Sequence, residues 1–122
     1  MRYFGIGTDI VEIERIERAI QNPKFKERVY TPKELESLRE KGDKPQSYAG
    51  KFCAKEAVAK ALGTGIRKFN LTDIEVLNDS LGKPYVIFGE NLKQYAKTLV
   101  DISISHSREY ATAVAIIFER EV

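Results

Sequence analysis

The sequence predicts an α+β fold: a mostly antiparallel sheet packed on helices, formed by a single domain over residues 1–122. Three observations support this. Strand-like and amphipathic helical segments follow one another, and a tight turn separates the last two strand-like segments, as in a hairpin. The chain has 122 residues, a usual length for one domain with one core. No internal repeat or linker-like stretch divides it.

The first strand and the first helix are predicted from residue type and charge. Residues 3–13 are rich in isoleucine and valine and show no helical period, which indicates a strand. A short charged helix is expected over residues 14–22. Pro23 follows Asn22 and is expected to close that helix.

Two longer helices are predicted next. Thr31 and Glu34 have the spacing of a capping box, and Pro32 stands at the first helical position. A helix is therefore expected from there to about Glu40. A third helix is expected over residues 45–63, because its apolar residues fall on one side and a glycine stands where it should end.

The second half of the chain is expected to supply most of the sheet. The four predicted strands cover residues 71–77, 84–88, 102–105 and 111–119. A polar, glycine-containing turn at residues 78–83 joins the first two of these strands. A helix over residues 90–99 is expected to lead into the last two.

Composition restricts the class of protein and its location. With 43% hydrophobic and 31% charged residues, the chain is typical of a globular protein that dissolves in water, which excludes a disordered, collagen-like or membrane protein. Its net charge of +2 is too small and too dispersed for a nucleic-acid binder. A single cysteine and the absence of a secretory signal at the start favour a cytoplasmic location.

Residue counts also limit the metal chemistry. Cys53 and His106 are the only cysteine and the only histidine, so no zinc site can be built from them and any metal ion must have oxygen ligands. Asp9 shares a predicted strand face with the apolar Val11, and Glu56 lies among alanines on the third helix. With water and phosphate oxygens, these two carboxylates would form the sparse oxygen shell that Mg²⁺ prefers.

Each of these polar residues also has a purely structural explanation. Asp9 is equally explained as a turn cap or a salt-bridge partner, and Glu56 is placed to pair with Lys60 one helical turn later. His106 shares its predicted strand face with two isoleucines, and a lone histidine there is more often a core residue than a catalyst. Serines on either side of His106 favour a polar pocket instead.

Several blocks of the sequence, taken in order, resemble one enzyme family. They are residues 5–13 (GIGTDIVEI), 52–63 (FCAKEAVAKALG), 82–84 (GKP), 103–107 (SISHS) and 110–113 (YATA). The set is similar to that of the holo-acyl-carrier-protein synthases, the small bacterial 4'-phosphopantetheinyl transferases, and it extends over nearly the whole chain. Lys51 departs from the pattern, because the family more often has arginine there and a lysine cannot make a two-pronged contact with a phosphate.

The resemblance implies a reaction and a set of site residues. The expected reaction transfers the 4'-phosphopantetheine group of coenzyme A to a serine hydroxyl of apo acyl carrier protein and releases adenosine 3',5'-bisphosphate, with Mg²⁺ as cofactor. Asp9 and Glu56 are implied as metal ligands and Lys60 as a phosphate-binding residue. The implied catalytic set is Asp9, Glu56, Lys60 and His106. The implied coenzyme-binding set is Lys60, Gly82, Lys83, Pro84, Ser105, His106 and Ser107.

The general base that accepts the proton of the serine hydroxyl stays open at this point. Glu56, a metal-bound water and His106 are the three candidates, and the sequence does not choose among them. The resemblance also implies a homotrimer of α+β subunits, with each site shared between neighbouring subunits.

A basic surface is expected to recognise the carrier protein, because acyl carrier proteins are strongly acidic. Residues 14–28 carry five basic and three acidic side chains, an excess equal to the net charge of the whole chain. The expected docking residues are Arg15, Arg18, Phe25 and Arg28.

Two other functions fit the residues without the resemblance. One is a non-catalytic module that binds a coenzyme or nucleotide, in which Asp9 and Glu56 form structural ion pairs. The other is a metal-dependent phosphohydrolase, which would use water in place of a protein acceptor.

Overall fold

A computed structural model describes residues 2–63 and 69–120 as two antiparallel sheets arranged with four α-helices. The strands are β1 (Arg2–Glu12), β2 (Ile74–Asn78), β3 (Pro84–Phe88), β4 (Leu99–His106) and β5 (Tyr110–Glu119). The helices are α1 (Ile13–Ala19), α2 (Pro23–Val29), α3 (Pro32–Glu40) and α4 (Pro45–Leu62). The α+β class and the antiparallel pairing predicted from the sequence are confirmed.

The larger sheet has the strand order β1-β5-β4, so β5 is central and β1 and β4 form its edges. The strand register aligns Asp9 with Ala113 and Ala113 with Ile104, and it aligns His106 with Ala111 and Ala111 with Val11. Side chains directly opposite each other in a sheet point to the same face. Asp9 and His106 therefore lie on the same face of the sheet but on its opposite edge strands.

Helix α4 crosses that face and forms the centre of the molecule. A Cβ added at Gly5 or Gly7 of β1 would overlap the carbonyl oxygen of Ala61 or Ala57, respectively. The glycines therefore allow the backbones of β1 and α4 to approach closely. The helix ends at Leu62, where Gly63 adopts φ 76°, so the predicted end of this helix is confirmed.

The second helix was not predicted, because Pro23 was interpreted only as the end of the first. In the structure α1 stops at Ala19, and Pro23 occupies the first turn of α2, where proline is tolerated because its missing N–H has no helical partner. The side chain of Asn22 accepts a hydrogen bond from the amide of Lys24 at 3.0 Å and caps α2.

The helix predicted over residues 90–99 is wrong in type and length. Glu90–Tyr95 forms a short 3-10 helix with an irregular backbone at Leu92, and β4 begins at Leu99. Such helices rarely extend beyond one turn because their hydrogen-bond geometry is poor. The strand predicted from residue 71 likewise starts later, after a 3-10 turn at Leu71–Asp73. Among the described residues, none of the helices is long and apolar enough to cross a membrane.

Candidate active site

Asp9 of β1 meets Lys60 of α4 at one side of that helix. The Lys60 ammonium donates to Asp9 Oδ1 at 3.2 Å and to the carbonyl oxygen of Thr8 at 3.0 Å. The Asp9 side chain is 16% exposed and that of Lys60 is 56% exposed. A partly buried carboxylate thus faces a cation that water and ligands can still reach.

Glu56 lies one helical turn before Lys60, and it interacts electrostatically with both Asp9 and Lys60. Burial raises the pKa of Glu56, the negative charge of Asp9 raises it further, and Lys60 opposes the shift. Burial and the nearby Asp9 also raise the pKa of Cys53 to about 12, so this thiol stays protonated. Asp9 and Glu56 therefore repel each other unless a cation or a proton lies between them.

This pair of carboxylates suits Mg²⁺, which keeps several waters and usually takes one or two carboxylates plus phosphate oxygens. In residues 2–63 and 69–120, no group of three or more Asp, Glu, His or Cys side chains is placed to hold a metal ion, so an ion bound here would depend on water and substrate for the rest of its shell. The exposed Lys60 amine adds a positive charge beside the same position. The donor set thus fits Mg²⁺ and does not fit an ion that needs four protein ligands.

The two carboxylates lie at the wall of a cavity of about 330 Å³, which we call the carboxylate cavity. Its other walls come from α1 and α2 and include Arg15, Ile16 and Phe25. The Phe25 and Phe52 rings pack with their centroids 6.1 Å apart. An apolar recess with an arginine at its wall therefore adjoins the acidic pair.

A second cavity of about 360 Å³ lies between α3, α4, the β2–β3 hairpin and β4; we call it the hairpin cavity. It contains three of the predicted coenzyme-binding residues: Gly82, Pro84 and His106. Lys41 and Lys51 also line it, so the cavity is suited to binding an anionic group. Burial lowers the pKa of Lys51 to about 8, while the charge of Glu34 acts in the opposite direction.

The two cavities open on opposite sides of α4, and none of the residues that the structure describes lines both. Among the α4 residues, Ser47, Gly50 and Lys51 line the hairpin cavity, whereas Phe52 and Glu56 line the carboxylate cavity. At about 100° per residue, the mean directions of these two sets differ by about 170°. The structure thus brings Asp9, Glu56 and Lys60 together, but within one chain it separates them from His106, Gly82 and Pro84.

The remaining predicted coenzyme-binding residues lie outside the hairpin cavity in this chain. Ser105 precedes His106 in β4 and so points to the other face of the sheet. The hydroxyl of Ser107 accepts a hydrogen bond from the Tyr110 amide at 3.3 Å, which shapes the turn between β4 and β5. The Lys83 ammonium lies 3.8 Å from Asp101. Their roles stay predictions.

The predicted docking residues occupy α1 and α2. Arg15 and Phe25 line the carboxylate cavity, and the exposed Arg18 pairs with Glu14 at 2.8 Å. Arg28 is exposed at the end of α2. Of the three arginines, Arg15 therefore lies at the recess beside the carboxylates, and Arg18 and Arg28 are exposed on the two helices that form its wall.

Sequence reasoning missed several residues of the hairpin cavity, including Lys41 just after α3 and Ser47 and Gly50 of α4. Gly50 carried a signal, because glycine weakens a helix interior and needs a packing reason there. A Cβ at this position would lie 3.0 Å from the Ile104 side chain. Gly50 thus lets β4 approach α4 at the base of the cavity.

The chain is similar to known proteins over most of its length. Residues 5–115 match the family model described as the 4'-phosphopantetheinyl transferase superfamily. A holo-[acyl-carrier-protein] synthase of Fusobacterium nucleatum is 56% identical over 118 residues, which are 93% of this chain and 97% of that protein. A relative of the same name from Alkaliphilus metalliredigens is 56% identical over 117 residues, 92% and 96% of the two chains.

Two solved structures share the fold. A holo-(acyl-carrier-protein) synthase from Bacillus anthracis, in complex with CoA (3',5'-ADP), superposes with a TM-score of 0.84 at 41% identity. That match covers 98% of this chain and 100% of the other. The Helicobacter pylori holo-[acyl-carrier-protein] synthase, in complex with coenzyme A, has a TM-score of 0.82 at 34% identity, with 92% and 98% covered.

Proposed function

The chain belongs to the 4'-phosphopantetheinyl transferase superfamily, and from this membership we propose that Asp9, Glu56 and Lys60 form the reacting half of its site and that the hairpin cavity forms the coenzyme half. The reaction is transfer of the 4'-phosphopantetheine group from coenzyme A to a serine hydroxyl of apo acyl carrier protein. Adenosine 3',5'-bisphosphate leaves. The convergence of Asp9, Glu56 and Lys60 beside one cavity carries this proposal.

The reacting half must neutralise the negative charge that the pyrophosphate brings. Transfer of a phosphoryl group depends mainly on positioning and on electrostatic stabilisation of the phosphate oxygens. Mg²⁺ held by Asp9 and Glu56 would supply most of that positive charge. Lys60 stands 3.2 Å from Asp9 and is close enough to bind a phosphate oxygen beside the carboxylates.

The serine hydroxyl also has to lose a proton as it attacks. Glu56 is a candidate base, because its carboxylate lies at the wall of the carboxylate cavity that the serine has to reach. His106 is a less direct candidate, since it faces the other side of α4 within the same chain. A metal-bound water is the third possibility, and we leave the choice among the three open.

We assign coenzyme A to the hairpin cavity on the basis of its charge and residue content. Lys41, Lys51 and His106 supply nitrogen donors for phosphate oxygens, while Gly82 and Pro84 form a narrow wall. The B. anthracis and H. pylori structures contain this class of ligand. Lys60, Lys83, Ser105 and Ser107 complete the proposed coenzyme-binding set.

We assign the carrier protein to the surface around the carboxylate cavity. Its acceptor serine has to reach Asp9 and Glu56, and the adjacent α1 and α2 supply the basic residues for an acidic partner. Phe25 is partly buried against Phe52, and it presents an apolar anchor beside Arg15. Arg18 and Arg28 extend the positive surface.

We further propose that the chain, as a single domain of residues 1–122, forms a homotrimer whose sites combine halves from neighbouring copies. The separation of the two cavities by α4 supports this, because one chain alone does not bring its coenzyme half to its own carboxylates. The sheet face opposite α4 supports it too, since Tyr3, Ile6 and Ile10 are exposed there, Ile10 by 66%. Copies of the chain are the occupant we assign to that face.

The decisive experiment is intact-mass analysis of an apo carrier protein incubated with coenzyme A, Mg²⁺ and this chain in a cytoplasm-like reducing buffer. The carrier should gain the mass of one phosphopantetheine group. Binding of coenzyme A without any mass gain would indicate a non-catalytic module. Release of adenosine bisphosphate without a carrier would indicate a phosphohydrolase.

A further inference from the structure

Charged side chains form hydrogen bonds with the backbone at the outer edge of β2. β2 pairs with β3 in a two-stranded sheet, and Val76 lies in the middle of β2, fully enclosed. The Val76 amide donates to Glu34 Oε2 at 2.6 Å, and the Val76 carbonyl accepts a hydrogen bond from Lys51 Nζ at 2.5 Å. A buried peptide group needs such partners. Glu34 and Lys51 therefore act at this edge in place of a neighbouring strand.

Glu34 of α3 and Lys55 of α4 form an ion pair in which both side chains are 0% exposed. The other bonds of Glu34 place its carboxylate accurately, because Oε1 also accepts the Thr31 amide at 2.9 Å. Burial lowers the pKa of Lys55, and Glu34 opposes that shift. A buried ion pair is weak evidence for stability, because apolar side chains of similar volume often stabilise a core as well. The pair and the bond from Glu34 to Val76 instead fix the positions of α3, α4 and β2 relative to one another.

The same elements form the walls of the hairpin cavity. β2 contributes Val76, the following hairpin contributes Gly82 and Pro84, and α4 contributes Gly50 and Lys51. The distance of the hairpin from α4 therefore sets the width of the cavity. The bonds of Glu34 and Lys51 to Val76 hold β2 at that distance.

We propose that Glu34 and Lys55 are positioning residues for coenzyme A: by holding Val76 of β2 against α4, they fix the width of the cavity that receives the coenzyme. The proposal rests on the proposed function, since it takes the hairpin cavity as the coenzyme site. Neither side chain is among the described residues that line the cavity. Lys55 acts through Glu34, and Glu34 acts through its bond to the Val76 amide. A pair that only stabilised the fold would affect both substrates alike.

The test replaces both members of the pair, because removing one alone leaves a buried charge without a partner. Glu34→Gln/Lys55→Met keeps the side-chain volumes but leaves one acceptor where Glu34 had two. The KM for coenzyme A should rise about fivefold, with a smaller change in kcat and less than about twofold in the KM for the carrier protein. Hydrogen exchange at the Val76 amide should accelerate about tenfold.

The matched control makes the same two changes in an exposed pair. Glu90→Gln/Lys93→Met removes a surface ion pair of 3.2 Å and should leave both KM values and the Val76 exchange rate as in the wild type. If the buried double variant does not fold, Thr31→Val replaces it. That change removes the Thr31 hydroxyl bond to Glu75 of β2, which is 2.5 Å long, and the 3.2 Å bond by which the same hydroxyl accepts the Glu34 amide at the start of α3. It should raise the KM for coenzyme A about twofold.

Three results would overturn the proposal. An unchanged KM for coenzyme A in the folded variant, whatever the exchange rate, would show that the pair does not position the coenzyme. Equal increases in the KM values of both substrates would show a general structural role. Wild-type chain that does not bind coenzyme A in calorimetry would overturn the coenzyme assignment itself, whereas normal wild-type binding with an unchanged variant overturns the positioning role alone.

Discussion

Asp9 is the side chain on which the metal assignment depends most directly. Asp9→Ala removes one of the two carboxylates and the partner of Lys60, so Mg²⁺-dependent transfer should fall by about 10²–10³-fold. The fold and the proposed trimer should stay intact, because Asp9 is only partly buried. Intact-mass assays across a range of Mg²⁺ concentrations measure the loss, and titration calorimetry measures Mg²⁺ affinity directly.

The control for this variant is Glu36→Ala, which removes an exposed carboxylate of α3. It should transfer the phosphopantetheine group at the wild-type rate. Unchanged turnover in Asp9→Ala would remove Asp9 from the site and would favour a purely structural ion pair with Lys60.

Lys51 gives a prediction for the pH dependence of stability. Its pKa falls from 10.5 in the unfolded chain to about 8 in the folded chain, so the unfolded chain binds more protons between these values. The free energy of unfolding therefore rises with pH through that window. Relative to Lys51→Met, the wild type should gain about 1–2 kcal/mol between about pH 7.5 and pH 10.

Urea unfolding of both proteins at one protein concentration measures this difference. Burial raises the pKa values of Tyr48 and Cys53 to about 12, but both groups are present in both proteins and cancel. The control Lys33→Met replaces an exposed lysine and should follow the wild type. Parallel curves for Lys51→Met and wild type would contradict a lowered pKa of Lys51.

Single residues were predictable where their chemistry was unusual for their surroundings. Asp9 in an apolar strand and Glu56 among alanines were candidates for a metal site that also had structural explanations. The structure places both at the wall of one cavity, with Lys60 3.2 Å from Asp9. Ser105 and His106 illustrate the limit. They were predicted together, yet neighbours in a strand point to opposite faces, and only His106 lines the hairpin cavity.

At the scale of elements, α1 and α2 carry the prediction about the carrier protein. Arg15→Glu/Arg18→Glu reverses two charges beside the carboxylate cavity and should raise the KM for the carrier about tenfold, because electrostatic attraction of the acidic partner is lost. The KM for coenzyme A should change little, since the hairpin cavity lies on the other side of α4. Steady-state kinetics with each substrate varied in turn measures both constants.

Lys33→Glu/Lys97→Glu is the charge-matched comparison, since both lysines are exposed and outside the two cavities. This variant should keep a near-normal KM for the carrier. Equal effects of Arg15→Glu/Arg18→Glu on both substrates would show that α1 is not the docking element.

Helices were predicted well when at least one end carried an unambiguous chemical signal. The capping box of Thr31 and Glu34 marks the start of α3, and Gly63 marks the end of α4. Both helices were therefore predicted with nearly correct bounds. α2 was missed because one proline can either end a helix or begin one. Only the Asn22 cap of the folded chain distinguishes these two roles.

At the scale of the whole molecule, the proposed sharing of sites between neighbouring copies predicts complementation between two inactive variants. Asp9→Ala lacks the reacting half, and Lys83→Glu/His106→Glu reverses or adds charge in the coenzyme half. When the two variants are refolded together in equal amounts, roughly three-quarters of the trimers formed at random contain both variants. Each mixed trimer has one intact site out of three, so activity should recover to roughly one quarter of the wild-type value.

Each variant refolded alone serves as the control and should stay inactive. Light scattering of the wild type should give the mass of three chains. A monomeric mass, or a co-refolded mixture with no activity above the controls, would mean that each chain builds its own site.

The sequence by itself determined the α+β class and the order of the longer elements, because these depend on local periodicity and capping. Its motifs also carry the family resemblance from which the roles of Asp9, Glu56 and Lys60 are proposed. The tertiary structure alone decided which sides of α4 the two cavities occupy. That arrangement follows from the close approach of β1 at Gly5 and Gly7 and of β4 at Gly50. Contacts between residues far apart in the chain fix it, and no local pattern encodes them.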